Sequence, residues 1–231
     1  MISEAARADT PAAQVQQRTT QGLLAIWHGV EPGFEPSFDD WYDRQHHLER
    51  VEIPGFARAR RYVNCGGGPR YFARYDVDDA GVLASAPYLD ALNHPTPWTR
   101  ALMPRYRGTT RSVFRFAAGA GNAEGAALVT LRLTGSPKRS DLPGAAGLAA
   151  VVAAPGVLRA ELWEADTAVS TLRTEEKKLR GAADDVVGWA YLVEGSDMGR
   201  LVDAIARHLL PLLPAPATID HYRLAFQLRR A

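Results

Sequence analysis

Apolar and polar positions along this chain change their period several times, and each change marks an element. GLLAIWHG (22 to 29) is a short apolar run that predicts a buried strand. FEPSFDDWYDRQHHLERVE (34 to 52) takes helical spacing, with Ser37 as N-cap, Asp40 three residues later and Pro54-Gly55 as the stop. FARARRYVN (56 to 64) alternates as a strand, Gly66-Gly67-Gly68 reverses the chain, and RYFARYDV (70 to 77) returns as the second arm of a hairpin. A second helix is predicted from about Asp79 to Leu92. NHPTPW ends it, and Thr96 and Pro97 suit the N-cap and N1 positions of one more helical segment. TTRSVFRFA (109 to 117) closes the series as a strand, giving the order β-α-β-β-α-β.

The same order recurs after a small-residue connector. ALVTLRL, GVLRAELWEA, VVGWAYLVE and DHYRLAFQLR predict strands; DLPGAAGLAAVVAA and SDMGRLVDAIARHLLPLL predict helices. The charged stretch Glu175-Glu176-Lys177-Lys178 is expected to be a solvated turn. The repeat shows in residues too: IPGFARARRY starts at Ile53 and APGVLRAELW at Ala154, 101 residues on, which aligns Pro54 with Pro155, Gly55 with Gly156 and Arg58 with Arg159. The expected organisation is a tail (1–21), a first unit (22–117), a connector (118–125) and a second unit (126–231). Each unit is a split β-α-β fold of the α+β class, a four-stranded antiparallel sheet with helices on one face. Pairing the two units covers the bare face of each sheet.

Composition narrows the function classes. The 231 residues are 46% hydrophobic and 23% charged, ordinary for a soluble protein. A formal net charge of +1 argues against a nucleic-acid partner, which calls for basic residues in excess. No apolar run approaches the roughly 20 residues that span a bilayer, so no membrane partner is expected. Cys65 is the only cysteine, which excludes an intramolecular disulfide and a cysteine-only metal site. The first 21 residues, rich in Ala, Gln and Thr, predict disorder rather than a secretory signal, and the protein is expected to be cytoplasmic.

WYDRQHHLERVEIPGFARARRY, PRYFARYDV and NHPTPWTR together resemble the EthD-like branch of the dimeric α/β-barrel superfamily. Its pattern of Trp-Tyr, Glu-His, Glu-Arg and Pro-Gly-Phe is matched by Trp41, Tyr42, His46, Glu49, Arg50, Pro54, Gly55 and Phe56. Gln45 stands where that pattern has an acidic residue, and His47-Leu48 replace an apolar-Pro pair. The resemblance covers the first unit; the second fits the fold only. It implies a ferredoxin-like fold, here tandem repeats closing an α/β barrel within one chain, with a cleft between helices and sheet. The superfamily includes cofactor-free monooxygenases, polyketide cyclases, muconolactone isomerases and haem enzymes such as chlorite dismutases, so the reaction stays open.

At about 100° per residue, Trp41, Tyr42, Leu48 and Ile53 share one helix arc with Gln45 and Glu49 near its centre and His46 on its edge, while His47 projects toward water. A carboxylate on that face needs a partner, a raised pKa or a hydrated cavity. Either Glu49 pairs with Arg58, Arg60 or Arg61 of the next strand, or it belongs to a functional cleft. In the second reading His46 and Glu49 are the catalytic candidates; Trp41, Tyr42, Gln45, His28 and Arg60 are the ligand-binding ones. Arg58 and Arg60 are expected to point into the barrel, as an ion-pair layer or as a basic lining for an anionic ligand. No metal site and no cofactor are predicted. The expected partner is a small-molecule ligand, with a further homodimer open. The expected function is a cofactor-independent isomerase, cyclase or monooxygenase acting on a small apolar ring compound; the alternative is a non-catalytic ligand-binding or assembly module. At the repeat spacing, Ala146, Gly147 and Ala150 replace Gln45, His46 and Glu49, so any cleft is expected in the first unit.

Overall fold

Alternation of side chains decides how the strands close. In β1 (Gly22–Val30), Leu23, Ala25 and Trp27 form one face and Leu24, Ile26 and His28 the other. β1 lies between β3 (Tyr71–Val77) and β4 (Tyr106–Ala120), and β3 pairs with β2 (Phe56–Asn64). The second unit repeats this arrangement with β5 (Ala127–Leu133), β6 (Val157–Ala165), β7 (Trp189–Gly195) and β8 (Ala217–Arg229). Antiparallel β2–β8 and β4–β6 pairings join the sheets into a closed eight-stranded barrel, β1-β3-β2-β8-β5-β7-β6-β4. The structure, a computed structural model, describes residues 20–230. Most of the expected tail lies outside the described residues, among which no helix is long and apolar enough to cross a membrane.

The helices pack on the outer faces. α1 (Glu35–Trp41), a π turn (Tyr42–His46) and α2 (His47–Glu52) make one continuous rod. It starts earlier than expected: Phe34 is the N-cap, without a side-chain bond, and Ser37 lies inside the helix. The predicted second helix divides into a 3₁₀ turn (Ala80–Ala84) capped by Asp79 and α3 (Ala86–Asn93) capped by Ser85, because each cap accepts from a backbone N–H and restarts the chain. α4 (Pro97–Leu102) is capped by Thr96 as expected. The second unit carries α5 (Ala145–Val152), α6 (Thr167–Ser170), α7 (Glu175–Arg180) and α8 (Met198–His208). β4 runs on into the expected connector because it leaves β1 and pairs with β6, Ala118 against Leu162 and Ala120 against Ala160.

The internal repeat is visible in geometry. Both β2 and β6 begin with a bulge, and the residues after it, Arg58 and Arg159, pair with Asp76 at 2.9 Å and Glu194 at 2.5 Å. Before each bulge stands a glycine of positive φ, Gly55 at 89° and Gly156 at 88°. A Cβ on Gly55 would lie 2.6 Å from Val82 Cγ2 in a backbone conformation that L residues avoid. Gly55→Ala is expected to lose about 1–3 kcal/mol of stability, read by denaturant unfolding.

Inside the barrel, Trp27, Phe72, Phe114, Trp163 and Tyr222 pack with a layer of ion pairs. Arg60 bonds Asp76 at 3.1 Å and Glu194 at 3.0 Å, and Arg74 reaches Asp76, Glu161 and Glu194. Arg58 and Arg60 therefore point inward, as their alternation with Ala57 and Ala59 predicts.

The β6–β7 connection is asymmetric between the units. In the first unit the matching β2–β3 turn is short, with Cys65 exposed. In the second it is a strap that crosses to the helix layer of the first unit. Its two ends are stitched to β4: Val113 N donates to Ser170 Oγ at 2.8 Å and Arg111 N to Asp185 O at 2.9 Å. The stretch expected as a solvated turn is α7. Thr174 caps it, Leu179 packs on the first unit's core, and buried Glu176 pairs with buried Arg50 of α2.

Candidate functional site

The π turn sets which side chains face the sheet. One extra residue in the turn rotates everything after it by about 100°. His47, Arg50 and Val51 therefore face inward, and Leu48 is 41% exposed, where a regular helix buries Leu48 and puts His47 in water. Gln45 and Glu49, expected at the centre of the buried face, are half-buried at its margin. Gln45 Nε2 donates to Glu49 Oε1 and to Thr96 Oγ1, each at 2.5 Å. Glu49 is thus held by an amide of its own helix, and no strand arginine takes it. Arg61 bonds Asp39 and Asp43 instead.

The residues brought together are His28, Trp41, Tyr42, His46 and His47, joined by Tyr71, Tyr75 and Tyr106. His28 is fully buried, and its Nδ1 lies 3.0 Å from the carbonyl of Gly29, which only accepts. Burial, then Arg180 and Arg61, push its pKa down to about 3 against the bond to Gly29, so the ring is neutral and Nδ1 carries its proton. His28 Nε2 is then an acceptor, and Tyr42 Oη donates to it at 2.9 Å. Tyr42 has one hydroxyl hydrogen, so the 2.8 Å bond to Tyr106 is donated by Tyr106. The result is an oriented chain, Tyr106 to Tyr42 to His28, that leaves the Tyr106 oxygen as an acceptor at its outer end. Burial raises the pKa of both tyrosines, keeping them protonated.

Beside this chain several buried polar atoms have no partner: His46 Nδ1, both ring nitrogens of His47, and Tyr75 Oη. Each such atom costs about 1–3 kcal/mol unless something satisfies it. Their rings converge on Tyr42, which lies 5.5 Å from His46 and 4.8 Å from His47, and Tyr75 lies 5.3 Å from His47. Trp41 stacks on His46 at 4.1 Å and turns its indole N–H away, to Thr99 Oγ1. His47 stacks on Phe226 of β8, so the second unit closes one wall. Burial holds His46 and His47 well below the usual histidine range, with the nearby arginines adding to the effect.

The strap supplies charge. Arg180 of α7, held by Asp184 at 2.7 Å, lies 5.8 Å from the Tyr106 ring centre. Arg60 is not brought to this cluster; it lies within the barrel. Tyr106, His47 and Arg180 had no place in the sequence-derived set. The one signal for Tyr106 was an aromatic next to a predicted strand end; His47 was hidden by the π turn and Arg180 by its distance along the chain. Among the described residues no group of three His, Cys, Asp or Glu side chains is arranged to hold a metal.

At the matching place in the second unit, α5 lays Leu148 and Val151 into an apolar core. A groove of about 640 Å³ there is lined by Ala150, Pro155, Arg200 and Arg207 among others, with no strand residue.

No family model matches the chain, and no curated protein matches it in sequence. Solved structures match it in fold. An anthrone oxidase-like protein aligns with a TM-score of 0.60 at 9% identity, over 93% of this chain and 95% of its own. A candidate monooxygenase of Fusobacterium nucleatum gives 0.53 at 8% identity, over 93% and 97%. A candidate chlorite dismutase gives 0.52 at 11% identity, over 90% and 96%. These likenesses establish the fold, a dimeric α/β barrel of ferredoxin-like units, made here within one chain.

Proposed function

We propose that the protein is an enzyme that removes a proton from a small, mostly apolar ring compound without an organic cofactor, in an isomerisation, a cyclisation or a cofactor-independent oxygenation. All three begin with the same step, the conversion of a ring hydroxyl or activated C–H into an electron-rich anion. The observation that carries the reading is the oriented Tyr106–Tyr42–His28 chain set among unpartnered His46, His47 and Tyr75. A substrate hydroxyl donates to Tyr106, and protons shift along the chain toward His28 Nε2. The low pKa of His28 makes that shift uphill in the resting protein, and Arg180 favours it by facing the anion that forms. His46 is a second proton-transfer group, and Trp41 and Tyr42 shape the pocket. Glu49 and Gln45 stand at its margin. The anthrone oxidase-like and monooxygenase neighbours support the oxygenation branch through shared fold.

The test is aerobic incubation with a panel of phenolic and polycyclic ring compounds, following oxygen uptake and product mass. Tyr106→Phe keeps the ring and loses the acceptor oxygen. It is expected to lower turnover by about 10²–10⁴-fold with little change in melting temperature. Ligand-induced stabilisation without turnover in any member of the panel would make the protein a binding module instead.

A further inference from the structure

Under the strap lies a pair of cations for which the proton-transfer chain has no use. Arg111 rises from β4 on the helix face of the sheet and is 6% exposed. Its side chain has a single protein partner, the Tyr88 hydroxyl at 3.0 Å, and no carboxylate at ion-pair distance among the described residues. Lys177 reaches down from α7 and is half-buried; its ammonium bonds only the carbonyl of Ser170, at 2.5 Å. The neighbouring acids are already committed, Asp184 to Arg180 and Glu176 to Arg50. A buried guanidinium normally has its charge matched, because leaving it unmatched is costly. We propose that Arg111 and Lys177 form a receptor for a small organic carboxylate, the acid group of the ring compound that the enzyme takes.

This proposal rests on the reading of the site as a small-molecule cleft and names the class of ligand. Lys177 and Arg180 stand one helical turn apart on α7, a rise of about 4.5 Å, roughly the width of one aromatic ring. A carboxylate held at Lys177 and Arg111 therefore leaves the ring to extend toward Arg180 and Tyr106. The placement also explains why the strap comes from the other unit: it completes the receptor only when the barrel is closed. Burial, then Arg111 and Arg180, lower the Lys177 pKa to about 8 against the opposing pull of Asp184, whose carboxylate is bonded to Arg180.

The experiment titrates the full chain with benzoate and with benzamide, its neutral isostere, following tryptophan fluorescence and melting temperature. Benzoate is expected to bind saturably and benzamide at least tenfold more weakly. Arg111→Met and Lys177→Met are each expected to weaken benzoate by tenfold or more, and Arg111→Lys less than Arg111→Met. Tyr106→Phe should keep benzoate affinity while losing turnover. Benzamide binding as tightly as benzoate, no benzoate binding in the wild type, or unchanged affinity in folded Lys177→Met would each overturn the receptor. Benzoate binding that follows the two cations, with no turnover of any ring compound, would keep the receptor and sink the enzymatic reading.

Discussion

Lowering the pH from 6.5 to 4.5 is expected to remove roughly 2 kcal/mol of folding stability through His28 alone. Its folded pKa is about 3 against an ordinary 6.5, so between those values the unfolded chain binds the extra proton and the folded one does not. Stability therefore falls as pH drops through this window and is flat above it. His46 and His47, held low by the same burial, act in the same direction. The window is distinct because Glu194, whose folded pKa is about 2 against 4.5, contributes its loss only at lower pH. Urea unfolding at pH 6.5, 5.5 and 4.5 reads the slope. His28→Gln keeps an oxygen acceptor for Tyr42 and cannot titrate, so its slope should be shallower by about 1.4 kcal/mol per pH unit at most. Equal slopes in wild type and His28→Gln would show that His28 is not buried neutral.

The same histidines show what sequence reading captured and what it missed. Strand alternation sets His28 on one face with Leu24 and Ile26, a period that tolerates little error, and the ring sits on that face in β1. Trp41 and Tyr42 precede the π turn and face inward as a regular wheel predicts. Beyond it the wheel failed, and it failed as a unit: Leu48 went out, His47 and Arg50 came in, and Gln45 and Glu49 moved to the margin. A one-residue insertion in helical hydrogen bonding leaves no mark in apolar spacing, because the sequence on either side still looks amphipathic. The partner of Arg50, Glu176, stands 126 positions away in a stretch whose charges alone suggested a solvated turn. Local pattern reports which residues want burial, whereas the strap's docking depends on barrel closure, a property of the whole fold. The repeat, by contrast, was legible because Pro-Gly and the following arginine serve a local need, a positive-φ turn into a bulged strand.

Glu194→Gln in the barrel interior is expected to cost about 3–5 kcal/mol, the range for breaking one member of a buried ion cluster. Glu194 is 1% exposed and its Oε1 accepts from Arg159 at 2.5 Å, Arg60 at 3.0 Å and Arg74 at 3.4 Å. Burial alone would raise this carboxyl; the three guanidinium groups outweigh burial and bring it to about 2. Neutralising it leaves Arg60 and Arg74 to Asp76 and Glu161, and Arg159 to Glu161 and Glu124, in surroundings where water screens the imbalance poorly. Glu124 also pairs with Arg58 and Arg159 but sits at the barrel mouth, 28% exposed. Glu124→Gln should therefore cost less than about 1 kcal/mol, as solvent-reached pairs do. Denaturant unfolding of both variants at pH 7 separates a structural barrel layer from a superficial one. The pH dependence gives an independent check. A carboxylate with a depressed folded pKa stabilises fully above 4.5 and loses its contribution as pH falls through about 2. The gap between wild type and Glu194→Gln should thus narrow in acid and hold constant above pH 5. A gap below 1 kcal/mol at pH 7, or one that widens in acid, would mean that the arginines are balanced without Glu194.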